Sequence, residues 1–277
     1  MTASINCFIN ADMFSCTWGT FATICFTVYN LPPRSQAVIH DVAEAYCTVP
    51  IGPDQWPGLV IKLLEDDEFA INTCNNFGLT LAGEIYSKVA LATLDIFYAQ
   101  GIGPASRLVD NHIFFHVPGE HHIAYNIRCH FWHDTIMHNG GCHLSGSWFW
   151  YQGECMLDSR PAEFDEDAAS PISNYSHIPN RSHYDLLFTY CDADIDLISE
   201  QLGIPWEPSK TFPFSSIIPY LGFDWNLPEH TVTITDNKRA KYSSAINNWL
   251  SHPTHDLEET QKLYGMLLHT SLVLLAG

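Results

Sequence analysis

The hydrophobic pattern near the start of the chain predicts two extended segments. The stretch from Ala37 to Pro53, AVIHDVAEAYCTVPIGP, opens with an apolar run. We expect a buried strand that turns at Asp41 into a short helical segment, stopped by Pro50. The stretch from Gly58 to Cys74 holds two β-rich runs on either side of an acidic pair, Asp66-Asp67. This arrangement predicts a β-hairpin, because polar turn residues between two such runs are typical of hairpins.

A helix and a second hairpin are predicted next. Between Phe77 and Gly101, apolar residues fall three or four positions apart, which predicts a helix that ends at Gly101; the apolar positions are Leu81, Ile85, Val89, Ala92 and Ile96. The stretch RLVDNHIFF, from Arg107 to Phe115, follows directly and places the pair Asp110-Asn111 between two apolar runs. Because Asn tolerates positive φ, such a pair predicts a hairpin turn.

The second half of the chain has a less regular pattern. Residues 118–182 are rich in Gly, His, Asp, Pro and Ser, and we expect a long, partly ordered insertion with little regular structure there. A helix is predicted from His183 to Gly203, and a hairpin from Ile218 to Ile234 that turns at Pro228-Glu229-His230. The C-terminal region is predicted to be helical, with Asp256 and Glu259 spaced as a capping box.

Composition limits the class of protein. The chain has 277 residues, of which 46% are hydrophobic, enough for one large domain or two small ones. No apolar run approaches the roughly 18 residues of a membrane helix, and the N-terminus has no basic segment typical of a secretory signal. The nine cysteines are scattered without a C-x-x-C pair, which favours reduced thiols. We therefore expect an intracellular protein, cytoplasmic or nuclear, without a membrane partner.

The charge balance argues against a nucleic-acid partner when composition is considered alone. Twelve Lys and Arg face 31 Asp and Glu, which gives a net charge of −19. Proteins that neutralise many phosphates usually carry clustered Lys and Arg. This chain has one basic cluster, NKRAK, from Asn237 to Lys241.

Two acidic corners are candidates for metal binding. Asp41 ends a hydrophobic strand, and Asp110 lies at a hairpin turn. Two carboxylates on adjacent strands can coordinate a pair of divalent ions, and two ions suit phosphoryl transfer. Each Asp alone is equally well explained as a turn residue.

The order of the elements is that of a polymerase palm, and five stretches resemble the motifs of reverse transcriptases. HDVAEAYCTVP (40–50) resembles motif A, FGLTLAG (77–83) motif B, LVDN (108–111) motif C, LGIPWEPSK (202–210) motif D and YLGFDWNL (220–227) the primer-grip motif E. The sequence is most similar to DIRS-like, tyrosine-recombinase retroelements of fungi, whose motif A is close to D-V-A-E-A-Y-R-T-I-P. The resemblance extends from about Ser4 to Gly277.

This resemblance implies a fold and a division of the chain. The fold class would be α+β: a polymerase palm, with an antiparallel sheet and helices packed on one face, partial fingers, the start of a thumb and a long irregular insertion. A single truncated reverse transcriptase domain would occupy residues 1–277. It would comprise the end of the fingers (1–36), palm motifs A to C (37–117), the insertion (118–182), palm motifs D and E (183–235) and the start of a thumb or connection (236–277).

The resemblance also implies roles for individual residues. Asp41 and Asp110 would hold two Mg²⁺ ions for nucleotidyl transfer to a primer 3′-hydroxyl. Tyr46 would lie under the sugar of the incoming dNTP, and Gly78 would let the backbone approach the template–nucleotide pair. Lys210 would act as an acid near the pyrophosphate. The RNA or DNA primer terminus would be positioned by the grip, Tyr220 to Leu227, which includes Tyr220, Leu221, Gly222 and Phe223.

The chain also departs from the family pattern. The second motif C carboxylate is replaced by Asn111, a poorer ligand for a hard dication. Cys47, His40 and His116 stand where the family commonly has Arg. Each change can arise from a single transition mutation, so we hypothesise a degenerate retroelement copy with weakened Mg²⁺ binding and severely reduced activity. The chain lacks most of the fingers and stops in the thumb-like helix, which gives the expectation of truncation.

Two other functions remain open at this point. The chain could be a non-catalytic retroelement remnant with no specific ligand. It could also bind zinc through a Cys/His-rich region, although the spacings match no zinc motif well. The metal-capable residues of that region are His112, His116, His121, His122, Cys129, His130, His133, His138, Cys142 and His143.

Overall fold

The computed structural model describes residues 21–274, apart from 64–67, 76–77, 80, 139–141, 145–146, 156–160, 166–169 and 180. Helices and antiparallel strands alternate irregularly along the chain, as in an α+β protein. The helices are α1 (Phe21–Asn30), α2 (Ala82–Ala99), α3 (His122–His138), α4 (Asp192–Leu202), α5 (Asp236–Leu250) and α6 (Leu257–Ser271). The strands are β1 (Gln36–Asp41), β2 (Val60–Lys62), β3 (Phe69–Ile71), β4 (Ala105–Leu108), β5 (Asn111–His116), β6 (Cys142–Leu144), β7 (Ser147–Cys155), β8 (Pro161–Asp165), β9 (Phe212–Ser215), β10 (Ile217–Tyr220), β11 (Phe223–Asn226) and β12 (Thr231–Ile234).

A four-stranded antiparallel sheet lies at the centre, in the order β4–β5–β1–β9. β1 pairs with β5 along its whole length, from Gln36 opposite His116 to Asp41 opposite Asn111. Both strands are buried at nearly every position rather than at alternate positions. Continuous burial means that both faces of the sheet are covered.

Helices cover both faces, so the expectation of helices on one face alone was wrong. On one face, Val38 and Phe114 pack against Leu94 and Phe97 of α2 and Ile195 of α4. The opposite face packs with residues of α1, α3 and the β10–β12 sheet; this core contains Ala37, Ile39, Ile113, Phe115, Ile24, Val28, Tyr125, Cys129, Ile218, Phe223 and Trp225. The apolar runs AVI and IFF have no polar face, and both sides therefore need covering.

The predicted helix after the first hairpin exists, but it starts later and buries a different face. α2 begins at Ala82, because Gly78 upstream has φ +96°, which does not fit a right-handed helix. Phe77 lies outside the described residues. Val89 and Ile96 of the expected apolar face are 43% and 38% exposed. The buried positions include Leu94 and the small and aromatic residues Ala82, Tyr86, Ala90 and Phe97, which the predicted pattern passed over.

Regular structure in residues 118–182 corrects the expectation of an irregular insertion. A 17-residue helix, α3, occupies its first part, and an antiparallel sheet in the order β6–β7–β8 follows. The helix was missed because its polar and apolar residues are mixed around its surface. Tyr125 and Cys129, one turn apart, are buried in the core, whereas Ile123, Ile127 and Phe131 are exposed. Packing of one narrow stripe therefore anchors a helix whose sequence has no clear apolar face.

The remaining predicted elements are confirmed, except that the helix predicted from His183 begins only at Asp192, after a 3₁₀ turn at Asp185–Leu187. β2 and β3 form the predicted hairpin, although the acidic pair at its turn lies outside the described residues. α4 ends before Gly203, which adopts the left-handed conformation. Asp256 and Glu259 form the predicted capping box of α6 through reciprocal hydrogen bonds to backbone amides. The hairpin around Pro228 is confirmed and gains a third strand, since β10 pairs with β11.

None of the helices within the described ranges is long and apolar enough to cross a membrane.

Two histidines are packed inside the central sheet in their neutral form. The ring of His116 is stacked between Phe188 and Phe214, with centroid distances of 3.8 and 3.7 Å. Its Nδ1 lies 3.0 Å from the Tyr190 carbonyl, to which the single N–H of a neutral ring can donate. Burial lowers the pKa of His116 to about 3 and that of His112 to about 4. Neither imidazole is therefore charged in the folded protein at neutral pH.

These histidines predict acid sensitivity. Their pKa is lower in the folded chain than in the unfolded chain, where it is near 6.5. The unfolded state therefore binds more protons below about pH 6.5, and the free energy of unfolding should fall from there towards about pH 4 by up to about 1.4 kcal/mol per pH unit for each histidine. His116→Gln removes one such group. The pH dependence of the free energy of unfolding, measured by urea unfolding at several pH values, should then correspond to about one fewer proton taken up on unfolding.

His252→Gln is the matched control, because His252 is exposed beyond the end of α5. This variant should keep the slope of the unsubstituted protein. An unchanged slope in His116→Gln would contradict the assignment of His116 as a buried neutral group.

Candidate active site

The two predicted metal-binding aspartates lie at the ends of neighbouring strands. Asp41 is the last residue of β1 and is buried, with Asn111 as its cross-strand partner. The next backbone amide, that of Val42, donates to the Asp110 carbonyl at 3.0 Å. Asp110 lies in the two-residue turn between β4 and β5. The β1–β5 register therefore brings the carboxylates of Asp41 and Asp110 to the same edge of the sheet.

The turn that carries Asp110 has an unusual backbone. The sequence suggested that Asn111 would take the positive φ, but Asn111 is already the first residue of β5. The positive φ, 56°, falls on Val109. A β-branched residue in this conformation costs about 1–3 kcal/mol and persists only where surrounding contacts impose it. Val109 packs against the core that contains Val42, Ala45 and Tyr86, which supplies such contacts.

Lys210 is ion-paired with Asp41. Its Nζ lies 2.7 Å from Asp41 Oδ1, and the lysine itself is largely exposed. The loop that carries it is fixed to the end of β1, since the Glu207 amide donates to the Asp41 carbonyl at 2.7 Å. The hydrogen bond to Asp41 and the charge of Asp41, with a smaller contribution from Asp110, raise the pKa of Lys210. Lys210 is therefore a protonated ammonium group at the predicted metal site.

The amide of Asn111 is turned towards Asp110. Asn111 Nδ2 donates to Asp110 Oδ1 at 3.2 Å, so the side chain offers Asp110 a donor where the family pattern has a second carboxylate. The Asn111 carbonyl accepts a hydrogen bond from the Tyr220 hydroxyl at 3.4 Å. This contact joins the Asp110 turn to the predicted primer grip.

Tyr46 and Gly78 lie on segments near α2. Tyr46 is in the 3₁₀ turn Ala45–Thr48, and its ring contacts that of Tyr86 edge-on at 5.7 Å. Burial and the charge of Asp110 raise the pKa of Tyr86, so this phenol stays neutral. Gly78 has φ +96° and open space around the position of a missing Cβ. Tyr46 is thus linked to the aspartates through Tyr86, and Gly78 has the backbone freedom that its predicted role requires.

The predicted primer grip is a tight turn held by the two C-terminal helices. Leu221 and Gly222 join β10 to β11 with φ values of 55° and 82°, as in a type I′ turn. His269 of α6 hydrogen bonds with the Leu221 carbonyl at 3.0 Å and stacks on Phe223 at 4.3 Å. Lys238 of α5 covers Gly222, where an added Cβ would lie 2.0 Å from its Nζ. Tyr220 and Phe223 are buried on either side of the turn.

Arg107 is a residue of this region to which the sequence analysis gave no role. It is buried on β4 and donates to the Ser87 carbonyl of α2 at 3.4 Å. Its charge acts on Tyr86, His112 and Tyr220, all of which lie around the aspartates. The sequence feature that could have drawn attention to Arg107 is its position as a single Arg in an otherwise apolar stretch before an Asp-containing turn.

The Cys/His zinc alternative gains no support from the described side chains. Among them, no three His, Cys, Asp or Glu residues are placed to hold a metal ion. His112 and His116 are buried in the core of the sheet. Burial raises the pKa of the Cys129 thiol to about 11, which disfavours the thiolate that zinc binding needs. The side chains of Cys142 and His143 lie outside the described part of the structure.

The Lys210–Asp41 pair predicts competition with divalent cations. Lys210→Met removes a positive charge that contacts Asp41, so Mn²⁺ should bind about fivefold more tightly. Electron paramagnetic resonance titration of free Mn²⁺ measures this change. Lys262→Met is the control, because Lys262 forms a comparable exposed pair with Glu258 on α6. Equal Mn²⁺ affinity in both variants would contradict a cation site at Asp41.

Replacing glycine with alanine should have opposite effects on stability in the grip turn and on α6. Gly222→Ala should lower the free energy of unfolding by about 1–2 kcal/mol, because φ is +82° and Lys238 must move. Gly265→Ala, on α6 with open space around the new methyl group, should raise it by about 0.5–1 kcal/mol. Urea unfolding measures both. A stabilising Gly222→Ala substitution would refute the turn geometry.

No protein-family model and no curated protein matches the chain. Among solved structures, it is similar to the foamy viral protease-reverse transcriptase in complex with RNA/DNA hybrid, at 12% identity and a TM-score of 0.48, over 87% of this chain and 22% of that chain. Two further structures of the foamy viral enzyme, both in complex with double-stranded DNA, match 87% of this chain at 13% identity, with TM-scores of 0.46 and 0.43. This chain spans 28% and 34% of the length of those two chains. The likeness concerns the fold alone.

Proposed function

We propose that the chain is a reverse-transcriptase-like palm, built for nucleotidyl transfer to a primer 3′-hydroxyl and impaired in that chemistry by Asn111. The observation that carries the proposal is the meeting of Asp41, Asp110 and Lys210 at one edge of the central sheet. These residues come from three separate stretches of the sequence. Their positions agree with the order of motifs A, C and D in the family that the sequence resembles.

The donor set fits a divalent cation. Asp41 and Asp110 supply carboxylate oxygens, which Mg²⁺ prefers, and the ion pair of Lys210 with Asp41 supports a cation-binding role for this carboxylate. When bound, Mg²⁺ at such a site activates the attacking hydroxyl and stabilises the leaving pyrophosphate. Asp41 and Asp110 would hold the metal, and the buried Arg107 adds a positive charge that acts on Tyr86.

The other residues of the chain would bind and orient the substrates. Lys210, protonated and exposed, would give a proton to the departing pyrophosphate. Tyr46 would exclude a 2′-hydroxyl by its bulk, and Gly78 would leave room for the template–nucleotide pair. The turn at Leu221-Gly222 would position the primer terminus, because the Tyr220 hydroxyl ties it to the strand that follows Asp110.

A nucleic-acid partner is supported by the position of the basic cluster. Although the net charge is −19, the NKRAK cluster lies at the start of α5, beside the grip turn. Lys238 of this cluster covers Gly222. An RNA or DNA primer strand at the grip would therefore meet Lys238, where phosphate contacts are needed.

The proposed loss of nucleotidyl-transfer activity follows from the reduced negative charge of the metal site. Asn111 replaces a carboxylate with a neutral amide that also donates to one oxygen of Asp110. The site consequently holds two carboxylates, opposed by Lys210 and Arg107, and attracts dications weakly. His40, Cys47 and His116 in place of Arg belong to the same hypothesis of a degenerate retroelement copy. The proposed boundaries of fingers, palm and thumb remain predictions.

Primer extension on an RNA template with Mg²⁺ or Mn²⁺ tests the proposal. The unsubstituted chain should give little or no extension. Asn111→Asp restores the missing carboxylate and should raise extension at least about tenfold, together with tighter Mn²⁺ binding. The double variant Asn111→Asp with Asp41→Asn should lose both gains, because a ligand is removed from the same site.

The outcomes separate the proposal from its alternative. If Asn111→Asp gains neither extension nor Mn²⁺ affinity, the metal-site assignment is refuted. A gain in Mn²⁺ affinity without extension would leave a folded, metal-binding palm that does not catalyse, whereas the non-catalytic remnant with no specific ligand predicts neither gain.

A further inference from the structure

We propose that a cavity between α2 and the C-terminal end of α4 binds a small apolar carboxylate, whose anionic group pairs with Lys88. The cavity has a volume of about 460 Å³, which lies within the range of roughly 300–1,000 Å³ found for small-molecule sites. Its apolar walls are formed by residues of α2 and of the segment that ends α4: Val89, Ala92, Ile96, Leu202, Ile204 and Pro205.

Large apolar side chains on both sides of this cavity are exposed. Val89 and Ile96 belong to the face of α2 that the sequence predicts to be buried, and Leu202 is the last residue of α4. Exposed apolar side chains grouped around one concave surface are typical of a binding site. A ligand with an apolar body would remove them from water, which favours its binding.

The charge of the cavity favours an anionic group on the ligand. Among the described residues that line it, Lys88 is the only charged one, and none is Asp or Glu, although the chain has 31 of these. Lys210 and Lys262 are paired with Asp41 and Glu258, whereas Lys88 has no ion-pair partner in the described part of the chain. The screening length is about 8 Å at physiological ionic strength, so distant carboxylates of this acidic protein act only weakly here.

The other polar residues of the cavity are neutral. Burial lowers the pKa of His112 to about 4, and burial together with the charge of Asp110 raises the pKa of Tyr86. Thr48 and Thr93 add only hydroxyl groups. The cavity can therefore pair one negative charge and cover an apolar body, which is the chemistry of an apolar carboxylate.

Three residues that line the cavity adjoin the candidate active site. Val42 follows Asp41, and Thr48 lies in the 3₁₀ turn that carries Tyr46. His112 Nδ1 lies 3.2 Å from the Asp110 carbonyl. A bound carboxylate would therefore lie behind the acidic edge of the sheet. Any effect of such a ligand on nucleotidyl transfer rests on the proposed function, whereas the binding site does not.

Titration calorimetry of the full chain with two matched probes tests the charge recognition. The apolar carboxylate 2-naphthoate should bind at one saturable site, and its neutral amide, 2-naphthamide, about threefold to fivefold more weakly. Lys88→Met should weaken the binding of naphthoate by about the same factor and leave that of naphthamide unchanged, because only the carboxylate pairs with the ammonium group. Lys262→Met, which removes an exposed charge from α6, is the control and should change neither affinity.

A second pair of variants tests the location. Ala92→Trp places a large side chain on the cavity wall and should abolish the binding of both probes. Ala99→Trp is the matched control, because Ala99 is exposed on the same helix outside the cavity. It should bind both probes as the unsubstituted chain does.

Photolabelling of the unsubstituted chain gives a readout that needs no variant. The apolar carboxylate 4-benzoylbenzoate, which attaches to nearby C–H bonds on irradiation, should label peptides that contain Tyr86–Ile96 or Leu202–Pro205. Excess 2-naphthoate should prevent this labelling. Peptide mapping therefore decides the location even if Ala92→Trp fails to fold.

Three results would overturn the proposal. They are labelling confined to other parts of the chain, equal naphthoate affinity in Ala92→Trp and Ala99→Trp, and equal naphthoate affinity in Lys88→Met and Lys262→Met. None of these readouts uses primer extension or Mn²⁺, so failure of the carboxylate site and failure of the polymerase proposal are distinguished.

Discussion

The pairing of β1 with β5 is the constraint on which the candidate site depends. Its antiparallel register places Asp41 opposite Asn111, and one hydrogen bond beyond the strand, from Val42 to the Asp110 carbonyl, keeps the turn against the end of β1. A slip of one residue would turn every side chain of β1 to the other face of the sheet. Since both faces are packed with different partners, such a slip is excluded by the core rather than by the site.

The surroundings of the site connect parts of the chain that are far apart in sequence. The loop after α4 is held to β1 by backbone hydrogen bonds, and its Lys210 reaches Asp41. The β10–β11 turn contacts the site through Tyr220. Two residues of the C-terminal helices contact this turn: Lys238 lies against Gly222, and His269 hydrogen bonds with the Leu221 carbonyl. The structure thus links the acidic edge of the sheet to α5 and α6 through a short series of direct contacts.

Sequence patterns predicted the elements whose residues are governed by local rules. The strand before Asp41, the hairpins, the capping box at Asp256 and the stop at Gly203 follow from periodicity and from backbone preferences. The face of α2 was predicted wrongly, because Ala82 and Ala90 are buried by close packing that hydrophobicity does not reveal. α3 was missed because, among its described side chains, only Tyr125 and Cys129 are buried. The positive φ of Val109 depends on tertiary contacts and has no local signal.

The ion pair between Lys210 and Asp41 has a consequence for folding. Asp41 is buried, and an uncompensated carboxylate there would oppose folding. The chain supplies its own counter-ion from a flexible, exposed side chain, which can leave without disturbing the core. The fold therefore needs no bound cation to neutralise Asp41, and a dication bound as proposed above would replace a lysine rather than fill an empty, repulsive pocket. In this sense the acidic edge neutralises itself within the chain.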